Sequence, residues 1–203
     1  MTEQLEAVVR YYLLPTLGDL DRFEQVTVKS RVKDCESALE ALRWRQEGAT
    51  FDPENVHGYT LKSLRDLAGV RVLAFPRRRL GEVDIALRKA FPKWEEDPVL
   101  GEQGEKLALK YWGSMPASKQ ISAEYQIVSM LTGLFWEVEH SAIYKPSPQL
   151  RGVARSLEMQ RPISNVLQAL RQFEEEFESL VVSQFEFLPL RGSGKADAIH
   201  RPR

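Results

Sequence analysis

Apolar positions along the chain switch between a period of two and a period near 3.6, and the switches order the elements. Leu5, Val8, Val9, Tyr12 and Leu13 predict an amphipathic helix over 3–14, ended by Pro15 and Gly18. Phe23 to Val28 alternates and is rich in β-branched residues, which predicts a strand. Asp34 stands where an N-cap belongs, ahead of a helix through Gln46. Leu39, Leu42 and Arg43 follow its inner side, and Gly48 stops it. Residues 48–59 read as a loop, and Leu61 to Leu67 as a short helical turn. Gly69 to Phe75 is apolar enough for a central strand. A helix over 81–91, a short strand over 93–97 and two strands over 107–112 and 122–129 follow, the last two joined around Pro116.

Residues 123–146 are the most informative stretch. Glu124 and Gln126 alternate with Tyr125 and Ile127, so a strand would carry the polar pair on one face. The next helix, about Met130 to Tyr144, repeats Leu131, Leu134, Phe135 and Val138 on its buried stripe. Glu137, His140 and Tyr144 share another face, and Pro146 ends the helix. Leu150 to Met159, a break at Pro162 and a long helix over 164–185 complete the pattern. The inner stripe of that helix is Leu170, Phe173, Phe177, Leu180 and Val181, and Glu174 to Glu176 read as its solvated face. The fold class is α+β, a mixed sheet flanked by helices. We expect one domain over 1–190, with its core at 24–146, C-terminal helices at 150–188 and a disordered tail at 191–203.

Composition narrows the function classes. The chain has 203 residues and 43% hydrophobic residues, enough to bury a core. Lys and Arg total 28 against 29 Asp and Glu, so no global field drives it onto nucleic acid or membrane. Local basic clusters remain at 29–33 and 77–79. Cys35 is the only cysteine, which forbids an internal disulfide, fits a cytoplasmic location and reads as a small buried side chain. The N-terminus reads as neither a signal peptide nor a membrane span. With His57, His140 and His200 the only histidines, a His-based metallohydrolase is disfavoured. The long C-terminal helix either packs on its own domain or gives a surface for a homo-oligomer.

Three clusters carry candidate chemistry. Arg31 and Lys33 alternate at a strand end and share a face, which suits a phosphate chain or a solvated edge. Asp66 stands at the mouth of a buried strand, where a carboxylate can hold Mg²⁺ or simply pair with an arginine. Arg71 puts a charge inside that strand and needs a partner or ligand, while Gly69 lets a backbone approach closely. Glu124 on a central strand is placed as a metal ligand, a general base or a structural carboxylate.

Together these clusters resemble the synthetase domain of the RelA/SpoT family, the (p)ppGpp-type alarmone synthetases. An R-[IV]-K motif is present as Arg31-Val32-Lys33, and D-x-x-G-[IV]-R as Asp66 to Arg71. E-x-Q-[IV] is present as Glu124 to Ile127. The helix motif W-x-E-[IV]-[ED]-H is approached by Trp136-Glu137-Val138-Glu139-His140, with Trp136 one place closer to the Glu than the motif sets it, followed by Tyr144-Lys145. Order and spacing agree over roughly 24–146, and the look is that of small single-domain synthetases and toxin-like relatives.

The resemblance implies a nucleotidyltransferase-like sheet of about five strands with a long C-terminal helix. It implies an ATP-dependent pyrophosphokinase that moves the β,γ-pyrophosphate of ATP to the 3′-hydroxyl of GDP, GTP, ADP or ATP. By position, Asp66 and Glu124 are catalytic and hold Mg²⁺, and Glu124 helps deprotonate the attacking hydroxyl. Arg31 and Arg71 would sandwich adenine, with Lys33 and Arg43, or Arg45, on the phosphates. Gln126, His140, Tyr144 and Lys145 would line the acceptor side.

One departure stands out. The family loop G-Y-x-S-[LV]-H, whose Tyr stacks on the acceptor base, is not in residues 101–116. Either Glu105 occupies the Tyr position, or Tyr111 or Trp112 supplies a ring from the adjacent strand. Two alternatives follow: a toxin-like enzyme acting on the 3′ end of tRNA, with Arg77 to Arg79 and Lys110 on the RNA backbone, and a decayed synthetase that only binds nucleotide.

Overall fold

The computed structural model describes residues 2–18, 20–47, 52, 54, 56–101, 104–115, 118–141 and 157–187. The elements are α1 (Thr2–Leu17), β1 (Gln25–Val32), α2 (Cys35–Glu47), β2 (Ala68–Phe75), α3 (Arg79–Ala90), β3 (Glu95–Glu96), β4 (Val99–Leu100), β5 (Lys106–Met115), β6 (Ser118–Ser129), α4 (Met130–Glu139) and α5 (Leu157–Phe187). Short 3-10 turns at Val56–Tyr59 and Leu61–Ser63 connect α2 to β2. The six strands form one mixed sheet in the order β1-β2-β6-β5-β3, with β4 beside β5. β2 and β6 run parallel, and β1 and β5 flank them antiparallel.

Alternation makes the two faces different. Val70, Val72 and Ala74 of β2 and Tyr125 and Ile127 of β6 point to one side, where α1 and α3 cover them. Leu5, Val9 and Leu13 of α1 and Val83 and Leu87 of α3 are fully buried there. Burying each such aliphatic side chain stabilises the fold by roughly 1.5–3 kcal/mol. Leu73, Val128 and Ala108 form a smaller cluster on the other face, with Trp136 of α4 packed on it.

Several expected boundaries move. α1 runs three residues past residue 14, with Pro15 inside its last turn, where it forgoes one hydrogen bond to the Tyr11 carbonyl and the helix ends two residues later. β1 continues to Val32 because each residue from Gln25 finds a partner on β2, so Arg31 lies inside the strand. Asp34 does cap α2: its Oδ1 accepts from Ser37 N at 2.9 Å. Ala38 is the buried residue of α2, whereas Leu39 and Arg43 are exposed. Cys35 is exposed as well, not buried.

α5 passes through Pro162 unbroken. Its stripe of Ile163, Leu167, Leu170, Phe177 and Val181 packs continuously, and packing outweighs one lost hydrogen bond. Phe177 meets Phe23 and Phe75 at centroid distances of 5.6 and 5.1 Å. Phe173 and Leu180 face outward, contrary to the sequence pattern.

Glu174 is the larger correction. It is 1% exposed, and its carboxyl oxygens lie 2.5 and 2.7 Å from Ser129 Oγ. Leu131 N–H also donates to it, and Ser129 N-caps α4 through Thr132 N. A carboxylate of α5 therefore closes the first turn of α4.

α4 lies so close to the sheet that Thr132 and Gly133 face inward, while Leu134 and Val138 are exposed. A Cβ on Gly133 would sit 2.4 Å from Leu73 Cδ2 and 3.0 Å from Val128 Cγ1. Leu73 is buried and cannot step aside freely. Gly133→Val should destabilise the fold by about 1–3 kcal/mol, measured as a lower denaturant midpoint with unchanged m-value; an unchanged midpoint would disprove this tight contact.

Candidate functional site

The face opposite α1 and α3 carries ordered rows of side chains across the sheet. Cross-strand register aligns Arg31 of β1 with Gly69 of β2, Gly69 with Glu124 of β6, and Glu124 with Trp112 of β5. The next row is Lys29, Arg71, Gln126 and Lys110. The third is Thr27, Leu73, Val128 and Ala108, the apolar floor beneath α4. Period two in four strands thus converts scattered polar residues into one charged surface.

Gly69 makes the first row work. Without a side chain on β2, the Arg31 guanidinium reaches across the strand to Glu124 Oε1 at 3.3 Å. A Cβ there would lie 3.3 Å from Glu124 Cγ and 3.6 Å from Arg31 Nε. The same Arg31 nitrogen is 3.6 Å from Asp66 Oδ2, and Lys33 Nζ is 2.5 Å from that oxygen. Asp66, Glu124, Arg31 and Lys33 are therefore one cluster. Gln126 donates to Glu124 Oε1 at 3.0 Å and accepts from Arg71 Nε at 3.1 Å, which answers the charge inside β2.

Burial pushes the Glu124 carboxyl above its ordinary range; Arg31 opposes the shift and the Asp66 carboxylate adds to it. Burial also lowers the Arg71 guanidinium, and the nearby charge of Arg31 lowers it further. A raised carboxyl beside a cation is the environment of a general base working near neutrality. No group of three or more His, Cys, Asp or Glu able to hold a metal occurs among the described residues. The pair Asp66 and Glu124, meeting at one guanidinium nitrogen, fits a hard cation that takes one or two carboxylates and completes its shell with water and phosphate oxygens.

Beside this cluster a cavity of about 590 Å³ opens between β1, β2, β6 and α4, lined in part by Arg31, Arg71, Gln126, Trp136, Glu137 and His140. Its far wall is α4, fastened to β1 by Lys29 Nζ at 2.7 and 2.9 Å from the two Glu137 oxygens. Glu139 also borders the cavity, and burial raises its carboxyl. Sequence reasoning placed Glu137 on the polar face of this helix and Lys29 in a basic cluster, but gave no lining role to Trp136 or Glu139.

Other site residues fall elsewhere. Arg43 is exposed on α2 and does not line the cavity. Arg45 ties α2 to the following turn by donating to Ser63 O and Oγ at 3.1 and 2.8 Å. Tyr144 and Lys145 lie outside the described residues. Tyr111 is in register with Tyr125, so it faces α3 and is 2% exposed, with burial pushing its hydroxyl up. It stacks on Tyr125 at 4.8 Å and cannot reach a ligand on the Glu124 face. Trp112, one residue on, is on that face, with the Arg65 guanidinium 3.7 Å from its ring centroid. Such a contact at an exposed site contributes about 0.5–1 kcal/mol. Glu105 is engaged by Arg171 of α5 at 3.0 Å and stands in a turn shaped by Gly104 at φ +79°.

The 77–79 arginines are also accounted for. Arg78 and Arg79 both clamp the buried Glu24, and Arg77 faces Glu175 at 4.0 Å. Burial works against ionised Glu24, but hydrogen bonds from Arg79 and Arg78 prevail and hold it at about 2. Lys110 pairs with Asp97 at 2.7 Å. Each arginine of the basic run therefore has a carboxylate partner.

The mixed sheet and its flanking helices share the fold of small alarmone synthetases. The chain is similar to small alarmone synthetase 1 from Bacillus subtilis, at 19% identity and TM-score 0.64, with 91% of this chain and 92% of that one covered. The same protein bound to its product pppGpp is similar at TM-score 0.62 and 19% identity, covering 89% and 90%. A GTP pyrophosphokinase family protein from Streptococcus pneumoniae is similar at TM-score 0.58 and 20% identity, covering 93% of each chain. No protein-family model matches the sequence. No curated protein matches it significantly either. No helix among the described residues is long and apolar enough to cross a membrane.

The Glu124 shift has a sign that can be measured. A carboxyl raised by folding binds its proton more tightly in the native state, so wild type loses that stabilisation as pH climbs through the raised value. Glu124→Gln should therefore gain in Tm relative to wild type as pH rises from the ordinary carboxylate range toward neutrality. A Tm difference that stays flat with pH would contradict the burial assigned to Glu124.

Proposed function

We propose that this protein is an ATP-dependent pyrophosphokinase that moves the β,γ-pyrophosphate of ATP to the 3′-hydroxyl of a purine nucleotide, as in alarmone synthesis. The observation that carries the reading is the Arg31, Asp66 and Glu124 cluster, with Arg71 beside it, on a small alarmone synthetase fold. Bound forms of the Bacillus subtilis relative, one with AMPCPP and one with pppGpp, support purine nucleotides as substrates.

Arg31 and Arg71 hold the adenine between them, since both guanidinium groups border the cavity. Lys33 receives phosphate oxygens and gives up its contact with Asp66 as they arrive. Asp66 and Glu124 would hold Mg²⁺, which would neutralise charge on the phosphates. The acceptor 3′-oxygen attacks the β-phosphorus, and the bond from that phosphorus to the α,β-bridging oxygen breaks. AMP departs, and the hydroxyl proton passes to the Glu124 carboxylate. Gln126 holds Glu124 and Arg71 in register, and His140 lies on the acceptor wall. Positioning and charge neutralisation carry most of such a reaction.

Labelled ATP and Mg²⁺ should be incubated with GDP, GTP, ADP, ATP or tRNA in turn. The expected result is AMP together with a labelled purine nucleotide. Asp66→Asn and Glu124→Gln should each cut AMP release by at least about 10²-fold. Full activity in both variants would refute these roles, and label found in tRNA alone would move the acceptor to RNA. Tight ATP binding with no AMP under any acceptor would make the protein a binding module.

A further inference from the structure

The helical layer on the sheet face away from Glu124 carries a second cavity, of about 620 Å³, between the later half of α1 and α3. Its walls are largely apolar: Tyr11, Leu14 and Pro15 of α1, with Ile85 and Ala86 of α3. Three of these side chains stand well out in solvent, Tyr11 at 69%, Leu14 at 60% and Ile85 at 61% exposure. Single exposed apolar residues are ordinary, but several gathered around one groove mark a contact surface. Phe173 and Leu180 of α5 are exposed as well, yet they border neither this cavity nor the one beside Glu124.

The charges on α3 decide what fits the groove. Glu82, Ile85, Ala86 and Lys89 stand at i, i+3, i+4 and i+7, so they share one stripe of the helix, and all four line the cavity. Glu82 and Lys89, both exposed, mark the two ends of the stripe, and its midpoint falls between Ile85 and Ala86. We propose that the occupant is a second copy of this chain, its α3 antiparallel to the first across a twofold axis at that midpoint. The twofold sets Glu82 of each copy opposite Lys89 of the other, and Ile85 opposite Ala86. Opposite charges then meet twice, and a large side chain meets a small one twice, which lets the helices approach. A parallel pairing would set Glu82 against Glu82 and Lys89 against Lys89, so charge selects the antiparallel one. Glu82 is already oriented by Arg79, which Glu24 holds in turn. Tyr11 and Leu14 come down on the copy of α3 and leave water. Both Glu124 faces stay open, because α1 and α3 back the opposite side of the sheet.

Sedimentation velocity on the full chain tests this, with thermal unfolding recorded for each variant. Wild type should sediment as a dimer at micromolar concentrations and dissociate on dilution. Glu82→Lys makes both cross-pairs positive, and Lys89→Glu makes both negative, so each variant alone should raise the dimer Kd at least about tenfold. Mixed one to one, the two variants are complementary again and should associate with each other. Ile85→Glu puts two like charges at the axis and should be monomeric; it replaces Glu82→Lys if loss of the Arg79 contact unfolds that variant. A wild type that stays monomeric up to its solubility limit would overturn the second copy as occupant. A dimer left intact by both Lys89→Glu and Ile85→Glu, or a mixture of folded charge variants that stays monomeric, would overturn this surface. The measurement needs no substrate, so its outcome is independent of whether the protein releases AMP.

Discussion

A carboxylate set into the face of a sheet stays there only while a cation lies across it. The contact between Arg31 and Glu124, made over the bare backbone of Gly69, is that arrangement here. It requires β1, β2 and β6 to keep their register, because a slip of one residue would turn every member to the other face. The α1 and α3 core fixes the register from below, and α4 fixes it from above through Gly133. The hydrophobic half of each strand thus holds the polar half in place.

The charged residues divide by what their partners do. Arg78 and Arg79 are committed to Glu24, which is buried and has no ligand to yield to. Arg31 is half-exposed, and it and Lys33 meet at an Asp66 carboxylate that is itself partly open to solvent. Both sets look alike in sequence, as basic runs of comparable length. Openness of the surroundings, beside the cavity, separates site from structure.

Much of the site was legible because strands impose period two. Arg31 with Lys33, Gly69 with Arg71, and Glu124 with Gln126 are each two apart, so spacing alone assigned each pair one face. The choice between Tyr111 and Trp112 was not legible, since it depends on the pairing of β5 with β6 and not on β5 itself. The inner side of α4 was misjudged for a packing reason. A helix this close to a sheet turns its smallest residues inward, so the hydrophobic stripe of Leu134 and Val138 pointed the wrong way. Glu174 was misjudged because a run of acids normally faces solvent, whereas this one serves as an acceptor for another helix.

That last contact ties together parts of the chain that share no ligand. The carboxylate at the start of α4 comes from α5, so one of the contacts that hold α4 depends on the docking of α5. α4 in turn carries Trp136 and Glu137 to the cavity. If docking of α5 favours binding in the cavity, linkage requires that a bound ligand favour docking of α5 by an equal free energy.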